Sequence, residues 1–211
     1  MELDELHLEP LSRARAQSLL EMAAEFRAEG DPRFDLLVDD IDAFFDLAER
    51  FALGRQLPAD RVQQTQYVLL RGDEVLGSAR LRHRLIPVLH QDGGNIGYEI
   101  RRSERGKGYG TTLLALMLNE ARRSGLQRVL LTTARTNAAS IRVIEKNGGV
   151  PDGTSVSPHT GEAMLRYWID LYSTMRVTVS TLVPSGHPSI RRLRKRRLLR
   201  VSGRKLVLTR R

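Results

Sequence analysis

The densest chemistry in this chain lies at Ile100-Arg101-Arg102-Ser103-Glu104-Arg105-Gly106-Lys107-Gly108-Tyr109-Gly110-Thr111-Thr112. Glycines at 106, 108 and 110 let the backbone turn tightly and approach a ligand with no Cβ in the way. The strand-like run NIGYEIR precedes the cluster and a leucine-rich helical run follows it. The N–H groups of such a loop and of the first helical turn converge on one point. There the helix dipole, Arg105 and Lys107 favour an anion. A phosphate or pyrophosphate is the expected ligand. Two common phosphate motifs do not fit. A P-loop would need glycine at Arg101 and Ser or Thr at Gly108; a dinucleotide fingerprint would need glycine at Thr111 and an early βαβ unit.

A third pattern, R/Q-x-x-G-x-G/A, is met in full by Arg105-Gly106-Lys107-Gly108-Tyr109-Gly110. It is the pyrophosphate loop of the GNAT superfamily of N-acetyltransferases, which the chain resembles here. Downstream, Asn137-Ala138-Ala139-Ser140-Ile141-Arg142-Val143-Ile144-Glu145-Lys146-Asn147-Gly148-Gly149 is similar to that family's N-x-x-A/S-I-x-x-Y-E-K-x-G-F segment. LRHRL, GGNIGYEIRRSERGKGYG, IEKNGG and RYWI follow in order, so most of residues 5–171 resemble a subgroup of bacterial acetyltransferases. The resemblance implies acetyl-CoA as acyl donor, an amine of a small molecule or protein as acceptor, and direct transfer with no covalent enzyme intermediate. It implies that the backbone of Tyr98, Glu99 and Ile100 pairs with the pantetheine arm like an added strand, between splayed parallel neighbours. N–H groups from Arg105 to Thr111 would hold the pyrophosphate. Asn137 would bond the pantetheine or the leaving region of the cofactor, and Ser140 would cap or line the same wall.

Three positions depart from the family. Ile144 stands where many relatives carry a tyrosine that protonates the departing thiolate, Gly149 where an aromatic is usual, and Thr132 where some place a glutamate base. The missing tyrosine motivates a second reading, an inactive acyl-CoA-binding or sensing module. Transfer to an amine needs the amine neutral, hence a base or a water path to one. Glu99 on the cofactor strand and His83 in Arg82-His83-Arg84 are the candidates, with the flanking arginines expected to keep His83 neutral. Against these stand an ion-paired strand carboxylate and an exposed strand-end histidine. Tyr98 or Tyr109 offers a substitute hydroxyl. His90 reads as surface, and Tyr167 and Trp168 as core and pocket wall. Arg80, Arg82 and Arg84 alternate on one strand face; ordinary solvated arginines are the favoured reading, an acceptor site for an acidic substrate the other. No metal-ligand spacing and no nucleophile elbow appears.

The elements that must position these residues follow from periodicity and breakers. Residues 3–8 read as a strand, Ser12 to Ala28 as a helix stopped by Gly30-Asp31-Pro32, and IDAFFDLAERFAL as a second helix after Asp39-Asp40. Strands at 66–71 and from Glu74 flank the turn Arg71-Gly72-Asp73-Glu74; Ile86–Gly94 is a loop, and 95–101 the next strand. A helix at 111–123, a doubly covered strand at 128–133, a helix at 137–146 and a hairpin containing 163–171 complete the order. The expected fold is α/β: a mixed, mostly antiparallel sheet with flanking helices, the GNAT fold, in residues 1–171.

The chain has 211 residues and no cysteine, which excludes disulfides, thiolate metal sites and cysteine nucleophiles. MELDELHLEP lacks the basic and apolar regions of a signal peptide, and no run is long enough to span a bilayer, so a cytoplasmic protein is expected. The net charge of +9 is uneven. After Asp170 there are 12 Lys and Arg and no acid, while the preceding residues hold 22 with all 25 acids, a net −3. The basic character belongs to residues 172–211. Disorder without a specific role is the favoured reading of that tail, then non-specific polyanion contact. The sequence leaves the acceptor and the oligomeric state open.

Overall fold

In the computed structural model, alternating strands build a four-stranded antiparallel sheet in the order β1-β2-β3-β4: β1 (Leu6–Pro10), β2 (Gln64–Arg71), β3 (Glu74–Arg82) and β4 (Ile96–Ile100). Because strand side chains alternate between faces, each face acquires its own core. Val68, Leu70 and Val75 pack under α1 (Ala16–Ala28), α2 (Asp35–Asp39) and α3 (Ile41–Leu53) with Leu19, Met22 and Phe26. Leu69, Leu76 and Ala79 face the other way, against Leu113, Leu114 and Met117 of α5 (Tyr109–Arg123). A second antiparallel sheet, ordered β5-β7-β6, continues this layer with β5 (Arg128–Ala134), β6 (Val150–Val156) and β7 (Ala163–Asp170).

Between the sheets, α6 (Ala138–Lys146) follows β5 and is capped by Asn137, whose side-chain oxygen accepts from Ser140 N–H at 3.0 Å. Asp40 caps α3 in the same way through Ala43 N–H. The expected loop at 86–94 contains a short helix, α4 (Pro87–Gln91), with proline in its first turn. A further short helix, α2, lies before Asp40. Each has five residues, too few to display a 3.6-residue period in sequence.

The structure describes residues 6–172 and, beyond them, 200–202 and 205–207. The chain divides into two units, Met1–Tyr172 and Ser173–Arg211. In the second, β8 (Arg200–Ser202) pairs antiparallel with β9 (Lys205–Val207). The start of the expected first strand and most of the expected disordered tail lie outside the described residues.

Candidate active site

The site begins where β4 and β5 part. Asn95, 3% exposed, is bonded on all sides. Its N–H donates to Leu130 C=O at 2.7 Å, its Oδ1 accepts from Leu130 N–H at 2.8 Å, and its Nδ2 donates to Arg82 C=O at 3.2 Å. Gly94 permits this approach, since a Cβ there would lie 2.3 Å from the Leu130 carbonyl oxygen. Thr132 Oγ1, at the position of a base in some relatives, accepts from Gly93 N–H at 2.7 Å and belongs to the same seam. Past the seam the strands share no ladder. Arg101 N–H donates to Leu76 C=O on β3. By the two-residue alternation, the backbone groups of Tyr98 and Ile100 therefore face away from β3, into the gap toward β5.

The gap opens into a cleft of about 540 Å³. The glycine loop forms one end. Gly108 takes φ +91° and precedes the first residue of α5, where Thr111 and Thr112 N–H reach back to Gly108 C=O. The N–H groups of Tyr109 and Gly110 have no acceptor within the helix and are available to an anion. A Cβ at Gly106 or Gly108 would meet nothing within 4 Å, so the hollow is real. The expected role of the neighbouring cations needs correction. Arg105 is held by both oxygens of Glu29 at 2.8 Å and by Ile100 C=O, and Lys107 by Glu104 at 2.9 Å; Lys107 does not line the cleft. Their charge is spent on carboxylates. The cations that line the cleft without a carboxylate partner among the described residues are Arg142 and Lys146 of α6. With Ala139 and Val143 they sit at i, i+3, i+4 and i+7, one helix face, and that spacing is the signal sequence reading passed over.

The loop is fastened from below by α1. Glu25 accepts from both Arg101 Nε and Nη2, at 2.8 and 2.6 Å, and from Ser103 N–H at 2.9 Å. Burial raises the Glu25 carboxyl, but the Ser103 and Arg101 bonds outweigh it and leave it below its ordinary value. Arg101, 8% exposed, also donates to Val75 C=O. Nothing in its sequence context marks it as the hub joining helix, sheet and loop.

Tyr98 reaches across the cleft, its hydroxyl 2.9 Å from Ser140 Oγ. Burial raises its pKa, partly offset by that bond, so the phenol stays protonated. Tyr109 also lines the cleft, but its oxygen accepts from Arg71 at 3.0 Å. Ile144 is fully buried and offers no proton; a Cβ at Gly149 would lie 2.4 Å from its Cγ2. The two family departures are thus one packing solution, a branched side chain beside a missing one.

Glu99 lies on the opposite face of β4. Its oxygens accept from Ser78 Oγ at 2.5 Å and Arg80 at 3.0 Å, with Arg33 at 3.5 Å. It lines the cleft as an ion-paired carboxylate. His83 does not reach the cleft; its Nε2 lies 2.9 Å from Thr65 Oγ1, and burial, rather than the flanking arginines, lowers its pKa. Among the other expected cofactor residues, Tyr98, Ile100, Arg105, Gly106, Gly108, Tyr109, Gly110, Thr111, Asn137 and Ser140 all line the cleft. His90 is exposed on α4, Tyr167 is buried, and Trp168 stacks under Arg128. No metal-holding cluster and no helix long and apolar enough to cross a membrane occurs among the described residues.

The sequence matches the model of the acetyltransferase (GNAT) domain over residues 5–150. No curated protein matches it. Its fold is similar to the ribosomal-protein-S5-alanine acetyltransferase from Vibrio fischeri (TM-score 0.63, 13% identity, 82% of this chain and 97% of that one). It is also similar to a putative acetyltransferase from Salmonella typhimurium solved with its cofactor acetyl-CoA (TM-score 0.54, 16% identity, covering 81% and 96%). A third is the spermidine N-acetyltransferase from Vibrio cholerae in complex with CoA and spermine (TM-score 0.55, 16% identity, covering 79% and 95%).

Proposed function

The chain belongs to the GNAT acetyltransferases, and from that membership we propose how its own residues seat acetyl-CoA and manage the protons of transfer. It is an acetyl-CoA-dependent N-acetyltransferase. When bound, acetyl-CoA supplies an activated acetyl thioester. The amine nitrogen forms a bond to the acetyl carbon as the C–S bond breaks; the amine loses one proton and the thiolate gains one.

The hollow at Gly106 and Gly108 and the two uncommitted cations of α6 fit a pyrophosphate. N–H groups of Tyr109 and Gly110 hold it at the start of α5, and Arg142 and Lys146 supply the counter-charge that Arg105 and Lys107 cannot. The backbone of Tyr98 and Ile100 extends hydrogen bonds to the pantetheine amides as a strand would. Asn137 spends its oxygen on the α6 cap and keeps its amide N–H groups for the same arm. The observation that carries this reading is the continuity of one cleft from the loop to the Tyr98–Ser140 pair.

The Tyr98 hydroxyl, kept protonated by burial, gives its proton to the departing thiolate and is resupplied through Ser140. Glu99 holds Arg33 and Arg80 in place; with both oxygens committed it is a positioning group, and the amine enters neutral and sheds its proton to water in the open cleft. The acceptor is a small-molecule or protein amine; the V. fischeri and V. cholerae proteins are named for one of each kind. A cytoplasmic location is part of this reading, supported by the cysteine-free composition.

Thiol release from acetyl-CoA with an amine panel tests the assignment. Tyr98→Phe is expected to lower kcat roughly 10²-fold while keeping the melting-temperature rise that acetyl-CoA gives the wild type. Undiminished kcat in that variant would move thiolate protonation elsewhere. Binding without turnover of any acceptor would favour the sensing module.

A further inference from the structure

The sheet face that carries Glu99 changes character along its length. Val68, Leu70 and Val75 are buried under the N-terminal helices. Toward the other end, register and alternation put Gln64 and Gln66 of β2, Arg80 and Arg82 of β3 and Glu99 of β4 on that same face. Three spaces follow one another along this polar strip. The cofactor cleft reaches Arg33 and Glu99. A small cavity of about 50 Å³ continues it between Arg33, Gln66, Arg80 and Glu99. The next, of about 80 Å³, lies among Arg61, Arg80, Arg82 and His159.

At the far end the three arginines outnumber the one carboxylate of the lining, Asp60. Arg61 approaches Asp60 at 3.6 Å and Arg80 is shared with Glu99. Arg82 donates to the carbonyls of Gly93 and Gly94, at 2.8 and 3.2 Å, and pairs with no carboxylate among the described residues. Burial, then the charges of Arg80 and Arg61, pull its guanidinium down to about 10, against smaller opposing effects of Asp92 and Glu99. An excess of positive charge in a partly buried pocket is relieved by a bound anion, and guanidinium forks suit planar or tetrahedral oxyanions. The favoured sequence reading, solvated arginines, holds for exposed Arg84 but not for Arg80 or Arg82.

We infer that the acceptor is a primary amine that also carries an oxyanion, its amine at the Glu99 end of the strip and its carboxylate or phosphate held by Arg61, Arg80 and Arg82. This rests on the acetyl-transfer reading above. At a strand rise of about 3.4 Å per residue, the Arg80 and Arg82 rows lie roughly 7 and 14 Å from the Ser78–Glu99 row. The amine and the anion are therefore separated by a spacer of several bonds.

Thiol release is measured with 6-aminohexanoate, its neutral counterpart 6-aminohexanamide, 6-aminohexyl phosphate and spermidine. The acid is expected to exceed the amide by about tenfold or more in kcat/KM, the order a charge-assisted bond supplies, and the phosphate arm tells which oxyanion is preferred. Arg61→Gln is expected to raise KM for the anionic acceptors about fivefold or more, leaving the acetyl-CoA melting shift as in the wild type. Equal kcat/KM for acid and amide, or a preference for spermidine, overturns the inference. If none of the four turns over, calorimetric titration of inorganic phosphate and of succinate into the CoA-saturated protein decides. Saturable binding weakened by Arg61→Gln supports the anion site; no binding, or binding indifferent to the substitution, overturns it. An absent acetyl-CoA melting shift in the wild type would overturn the acetyl-transfer reading itself, and this inference with it.

Discussion

Gly108 occupies a backbone conformation, φ +91°, that a side chain disfavours, and faces the hollow where the pyrophosphate is proposed to sit. Gly108→Val is expected to cost roughly 1–2 kcal/mol of stability through backbone strain and to abolish the acetyl-CoA melting shift. A variant that kept its affinity for acetyl-CoA would show that the phosphate site lies elsewhere. Glu25 governs the same loop through protons. Its folded pKa is below the ordinary 4.5, so its contribution is fully present above that value and is lost as pH falls through the depressed one. Acid titration should therefore loosen the loop below about pH 4.5. Glu25→Gln should flatten the pH dependence of the melting temperature in that window, and an unchanged acid limb would count against the anchor. The loop pattern itself was legible in the sequence because its glycines are a local backbone requirement. Arg101 and Glu25 were not, because they are 76 residues apart and nothing local joins them.

At the scale of elements, the cleft exists because β4 and β5 touch at Asn95 and then diverge. That one side chain satisfies the Leu130 N–H and the Arg82 carbonyl in a buried seam. Asn95→Ala leaves both without the partner and is expected to destabilise the fold by roughly 2–4 kcal/mol, measured by chemical denaturation. It should weaken acetyl-CoA binding more than a change of equal size on the α1 core. Equal effects would mean that the seam does not set the gap. The helix α6 shows how periodicity can be read without telling which face matters. Its Asn137 cap and its stop at Gly148 are visible in the chain, but which face meets the ligand depends on where α5 lies. The cations of α6 that line the cleft are Arg142 and Lys146, while Arg105 and Lys107 face carboxylates supplied by Glu29 and Glu104.

For the whole molecule, both hydrophobic cores are drawn, among the described residues, from those up to Leu171, and we propose that the acetyltransferase domain ends there. A chain ending at Tyr172 is expected to keep the melting temperature and acetyl-CoA affinity of the full chain within error, and to lose any retention on heparin, since the 12 cations after Asp170 face no acid in sequence. A large drop in melting temperature would move the boundary. By itself the sequence determined the order of the long elements, the α/β class, the glycine loop between strand and helix and the charge split between body and tail, because periodicity, capping residues, glycine spacing and composition are local properties of a chain. Only the tertiary structure decided which charges are spent. It pairs Glu99 with Arg33 and Arg80, removes His83 to Thr65, brings Tyr98 to Ser140, and sets Arg82 near two like charges with no direct ion pair among the described residues. Electrostatic partnership is settled by distances across strands and helices, and those distances are fixed by packing.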